Sequence, residues 1–181
     1  MKKILIYIWI TMTFYFYNID VKGEINQDPK TFLELIDAIQ EHHKLSISIV
    51  KQFFKLDAFF YEGDPTFVGE FAIQDKSNLY IVLIKHYQGN YVRDIVITLS
   101  KNHQQITYKS IMSMCKKCSS SELFADISFE GGDGDWRQIK IEYYIPIFQK
   151  AKIVETQREI KKTEHWYITD KGFIVKNTKK K

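Results

Sequence analysis

The chain is poor in residues that build chemistry at recognisable spacings. It holds two cysteines, Cys115 and Cys118. With no second pair, a four-cysteine zinc centre is excluded. No Gly-x-Ser-x-Gly elbow, phosphate-cradling loop or dinucleotide fingerprint occurs. The five histidines form no His-x-x-x-His. His42 and His43 are adjacent and so diverge on a helix, while His86, His103 and His165 are scattered. All five are expected at the surface or rim. A sustained basic stripe is also missing. Lys176, Lys179, Lys180 and Lys181 crowd the C-terminus, and Lys2, Lys3 and Lys22 the N-terminus, leaving the body near neutral. That argues against a dedicated nucleic-acid surface. There is no shift of composition and no repeat to mark a second domain.

What is present begins at the N-terminus. Lys2 and Lys3 precede an apolar run from Ile4 to Tyr17, broken by Thr11 and Thr13. At fourteen residues it is short of the about 20 a membrane helix needs. It suits the apolar core of a secretory signal. No Ala-x-Ala follows, and Val21-Lys22-Gly23 is the best cleavage site, starting the mature chain at Glu24. No cysteine near the run supports a lipid anchor. The alternative is an uncleaved anchor, with Trp9 and nearby tyrosines at the interface. The expected layout is a signal at 1–23, one domain at 24–176 and a basic tail at 177–181. The expected location is periplasmic or secreted. Membrane association would come only through an uncleaved signal or the basic tail.

Asp28-Pro29 reads as a helix start, Asp as cap and Pro at the first position. Phe32, Leu35, Ile36 and Ile39 then recur at helical spacing, predicting a helix over Pro29–His43. Residues 45–61 fit two readings: Ser46-Ile47-Ser48-Ile49 alternates like a strand, and Val50, Phe53 and Phe54 suit a short helix. From Phe67 the period is mostly two. Strands are predicted at Leu79–His86, Tyr91–Leu99, Gln105–Met112, Leu123–Phe129, Trp136–Phe148, Lys152–Ile160, Glu164–Thr169 and Phe173–Val175. Short turns between them imply antiparallel pairing. The predicted class is α+β and strand-dominated, with one or two N-terminal helices on a twisted antiparallel meander that curls toward a half-barrel. The alternative is a cone of the nuclear-transport-factor type, which would supply an apolar pocket.

Two local motifs invite chemistry. Cys115-Lys116-Lys117-Cys118 has lysines that favour thiolate, as a redox pair needs. It lies within a meander and runs into Ser119-Ser120-Ser121, and in an exported chain the simplest outcome is one small-loop disulfide. Glu130, Asp133 and Asp135 surround a glycine-rich loop that offers oxygen ligands for a weak calcium site. An EF-hand beginning at Asp133 would need Glu where Tyr144 stands. A wide hairpin turn explains the glycines equally well. Glu142, Glu155, Glu159 and Glu164 are expected on exposed strand faces, although two carboxylates facing one another in a cleft would escape notice from spacing alone.

The segments "FVGEF" (67–71), "NLYIVLIKHYQG" (78–89), "DIVITLSKNHQQITYKS" (94–110) and "HWYITDKGFIVK" (165–176) resemble small exported proteins of unknown function from Bacteroidota-type bacteria. The resemblance covers roughly Phe67–Lys176. The chain departs from it at Ser100-Lys101-Asn102-His103, where a glycine turn is usual. It implies an envelope location and transfers no functional residue. The functional expectation is non-enzymatic binding of an envelope protein or small ligand, with no cofactor and no nucleic acid. The alternatives are a secreted inhibitor or immunity-type protein, and a cone-fold ligand binder or enzyme.

Overall fold

Thr31 starts the first helix, α1 (Phe32–Gln40). Its hydroxyl accepts the Glu34 N–H at 3.3 Å, and the Glu34 carboxylate accepts the Thr31 N–H at 3.3 Å. This reciprocal box satisfies two orphan donors at once and places the start after the expected Pro29. The helix ends before His43 because His42 turns left-handed, at φ 58°. The structure, a computed structural model, describes residues 22–24, 29–115, 124–130, 136–149 and 152–177. The apolar N-terminal run, Cys118, Asp133, Asp135 and the lysines at 179–181 lie outside the described residues. No helix among the described residues is long and apolar enough to cross a membrane.

The ambiguous stretch 45–61 takes the helical reading. Strand β2 (His43–Leu45) ends just before Ser46, whose hydroxyl caps helix α2 (Ile47–Phe53) by accepting the Ile49 N–H at 3.3 Å. The strand-like Ser46–Ile49 alternation is therefore helical. A 3-10 turn follows at Ala58–Tyr61.

Among the described residues ten strands form two sheets. The first is β1 (Lys22–Glu24), β2, β3 (Thr66–Gln74), β4 (Tyr80–Gln88), β5 (Tyr91–Leu99) and β6 (Gln105–Cys115), in that spatial order. The pairs from β2 to β6 are antiparallel, and β1 lies parallel to β2 across the expected cleavage point. The second sheet is antiparallel, with β7 (Phe124–Glu130), β8 (Gln138–Gln149), β9 (Lys152–Ile168) and β10 (Ile174–Lys176) in the order β10-β9-β8-β7. Two predicted strands, at 152–160 and 164–169, merge into β9. A register shift at Tyr143–Tyr144 carries the charged stretch Lys161–Thr163 along β8 in extended form. The meander thus divides between two sheets at the β6–β7 connection and does not close into a barrel.

The layers stack as helices, first sheet, second sheet. Leu35, Ile39, Val50, Phe54 and Phe60 pack on Phe67, Val82, Ile84, Ile95 and Ile97. On the opposite face, Ile81, Leu83, Val96 and Ile111 pack on Ala125, Ile127, Ile139, Ile141 and Ile168. Strands β4 and β5 are therefore buried on both faces, which explains their near-continuous apolar runs. At one end Arg137 clamps the sheets together. Its Nε donates to Asp75 at 2.8 Å, and its other nitrogens reach Asp170 and Ser77. Burial opposes the guanidinium charge, but Asp75 and Asp170 outweigh it and raise its pKa.

Helix α1 rests on β3 at Gly69, where an added Cβ would lie 2.8 Å from the Ile39 carbonyl oxygen and closer still to its Cα. Backbone cannot give way there as a side chain would. Gly69→Ala is expected to cost about 1–3 kcal/mol by forcing α1 off the sheet. Thr31→Ala should cost about 1 kcal/mol through the lost cap. Urea midpoints of the two variants check both values, and an unshifted Gly69→Ala midpoint would refute the close seat.

Candidate functional site

Three polar assemblies interrupt the apolar layers. The first lies between the sheets. A bulge in β3 inserts Glu70 between Gly69 and Phe71, and its carboxylate meets the Lys85 ammonium at 3.1 Å. Lys85 stands directly across from Asp94 of β5. One ammonium thus faces two carboxylates in a dry interior. Burial raises the Asp94 pKa to about 7, with Lys85 opposing and Glu70 and Asp126 reinforcing the rise. Asp94 is 4% exposed, and its Oδ1 has no hydrogen-bond partner. Asp126, on β7, is also raised by burial, against the Arg158 guanidinium that pairs with it. Tyr87 is pushed up to about 12 by burial and by Glu70 and Asp94. An acid that titrates near neutrality exchanges protons readily. At this burial, however, Asp94 offers a substrate no surface, and its titration acts on the fold.

The second assembly is a knot around Glu164, which is 7% exposed. Its carboxylate accepts from Lys162 at 2.6 Å, Lys176 at 2.7 Å, Trp166 Nε1 at 2.9 Å and the Tyr143 hydroxyl at 3.4 Å. Burial alone would raise its pKa, but these donors overcome it and hold the group at about 2. Lys109 lies 3.7 Å over the Trp166 ring, its pKa lowered by burial. Every partner is internal, so the knot fastens β8, β9 and β10.

The third assembly faces outward. Arg93 follows His86 and precedes Met112 in one cross-strand row on the helical side of the first sheet. His86 is covered by Phe60, with ring centroids 5.2 Å apart, and its Nε2 donates to the Phe60 carbonyl at 3.0 Å. Burial lowers its pKa, the Phe60 carbonyl opposes, and Arg93 adds to the lowering. Cover ends at the next residue in the row. The Arg93 guanidinium lies 5.8 Å from the Phe59 ring and 5.8 Å from the Tyr91 ring. Phe59, Tyr91 and Met112 are 40%, 44% and 38% exposed. Gln88 fixes Phe59 in place by donating to the Phe59 and Glu62 carbonyls at 3.3 and 3.0 Å. Among the described residues Arg93 has no ion pair, and its Nη1 has no hydrogen-bond partner.

No protein-family model, curated protein or solved structure matches this chain.

The residues singled out from the sequence do not gather at any of these places. Cys115 ends β6, described in backbone only, and Cys118 lies outside the described residues. Glu130 ends β7, exposed, while Asp133 and Asp135 are outside them. Among the described residues no three His, Cys, Asp or Glu side chains form a metal-binding group. Two expectations are corrected. His86 is wholly buried, not at the surface, because β4 is covered on both faces. Glu164 is buried, not on an exposed face, because three cationic or N–H donors neutralise it there. Sequence reading missed Asp94 and Arg93. The signal for Asp94 was its place inside "VRDIVITL", a charge within an otherwise buried run.

Asp94 and Glu164 set opposite pH trends. Asp94 holds its proton more tightly folded, at about 7, than at the unfolded 3.8. Its contribution is full below about 4 and is lost as pH rises through about 7. Glu164 holds its proton less tightly than the unfolded 4.5, so its contribution is full above 4.5 and lost as pH falls toward about 2. Urea midpoints of Asp94→Asn across this range should show a shallower decline between about pH 4 and 7, with the raised Asp126 still contributing, and keep the acid-side fall. An unchanged slope would refute the assignment to Asp94.

Proposed function

We propose that this chain is an exported envelope protein that works by binding a protein partner, with no reaction of its own. The positively charged start and short apolar run support export. The observation that carries binding is the outward assembly at Arg93. Tyr, Phe, Met and Arg are the side chains that concentrate in the energetic centres of protein interfaces. Here they meet on one patch, at the boundary where the helical cover of the first sheet stops. The other two assemblies are built from groups that face one another across strands of the fold, so their polar character is spent internally.

Two measurements on the cells that make the protein test this reading. Intact mass after fractionation should give a chain starting near Glu24 in the envelope or medium, lighter than the reduced chain by the hydrogens of one disulfide. A full-length reduced species in the cytoplasm would overturn export. Cross-linking in intact cells should give a discrete heavier adduct containing one reproducible partner. Recovery of the monomer alone, under conditions that cross-link known envelope complexes, would overturn binding.

A further inference from the structure

We infer that the Phe59–Arg93–Tyr91 assembly is a carboxylate clamp whose occupant is an acidic segment of a protein partner. This rests on the binding reading above and specifies its site and partner chemistry. A guanidinium that loses part of its water is ordinarily matched by a carboxylate or by carbonyl oxygens. Arg137 in this same fold is matched by Asp75 and Asp170, and Arg158 by Asp126 and Glu142. Arg93 is half-buried and has no such match among the described residues. Its nearest charged neighbour along the strand, Asp94, points to the opposite face of the sheet by the alternation of the strand.

Geometry adds the second part. The guanidinium is flanked by the faces of two aromatic rings at equal distances of 5.8 Å. Rings hold a guanidinium in orientation without consuming its N–H donors. Nη1 is buried without a partner, so the edge left to an outside carboxylate is the one carrying Nε and Nη2, which suits two parallel bonds. The surroundings narrow the partner further. Among the described residues Arg93 is the cation set against Phe59 and Tyr91, whereas a phosphate backbone is gripped by several cations in a row. Met112, beside Arg93 on β6, offers a flexible apolar contact for the residue next to the acid. The occupant is therefore a peptide segment with Asp or Glu beside an apolar residue.

The test is selection of a random short-peptide library on the full chain, followed by titration of the recovered peptides against variants. The expected winners carry Asp or Glu at one fixed position beside an apolar residue. Arg93→Gln should weaken them by about 30-fold or more, as truncation of an interface anchor does. Arg93→Lys should also weaken them, because an ammonium keeps the charge and loses the fork. A folding control separates this role from a structural one: the urea midpoint of Arg93→Gln should equal or exceed that of the parent, since no internal partner is orphaned. A lowered midpoint would make Arg93 a packing residue and overturn the clamp. Winners without an acid, or acidic winners that bind Arg93→Gln equally well, would overturn the clamp and leave the broader binding reading intact. A selection that returns no binder would count against both.

Discussion

The burial of β4 and β5 on both faces governs the rest of this structure. A sheet covered by helices on one side and by a second sheet on the other leaves its polar side chains no water to fall back on. Each charge that enters must find a partner or give up its charge. Arg137 finds Asp75 and Asp170, and Lys85 finds Glu70. Asp94 faces an ammonium already engaged by Glu70, so burial leaves it holding a proton near neutral pH. Glu70 sits at the β3 bulge, two residues after Val68, which pairs directly with Lys85 and shares its face.

Arg93 and Asp94 show how sharply the layers divide environments. They are consecutive residues on one strand and point to opposite faces. Asp94 enters the space between the sheets. Arg93 emerges where the helical layer ends and lies between two exposed rings. Phe60 and Phe59 divide in the same way on the 3-10 turn: Phe60 is fully buried over His86, and Phe59 is left at the rim. The surface proposed for binding is thus continuous with the core beneath it, the Phe59 and Phe60 ring centroids lying 3.9 Å apart.

Much of the secondary structure was legible because it depends on neighbours in the chain. The limits of β5 follow from an apolar run bounded by Gln88-Gly89-Asn90 and Ser100-Lys101-Asn102-His103, with Gly89 and His103 in the left-handed region that turns require. The start of α1 was misplaced because two start signals stand three residues apart. Asp28-Pro29 is a good signal, but the Thr31–Glu34 box satisfies more donors. Residues 45–61 fit two readings because the helix there is only seven residues long and starts one capping serine after a strand, too short a run for its period to show. His86 and Glu164 were misjudged for a different reason. The burial of a polar side chain depends on what lies across the sheet, and periodicity along one strand carries no information on that.

The sequence by itself determined the class of the protein: helices first, then a strand-rich, antiparallel body. Those features follow from caps, turns and hydrophobic period, which act over a few residues. Only the tertiary structure decided that the strands separate into two sheets, that β4 and β5 lie between layers, and that Phe59 and Arg93 meet. Those outcomes depend on contacts between distant segments. A phenylalanine in a turn ahead of β3 and an arginine on β5 acquire a joint role only when packing brings a ring over a guanidinium. The same packing removes the water that would otherwise have kept Asp94 an ordinary carboxylate.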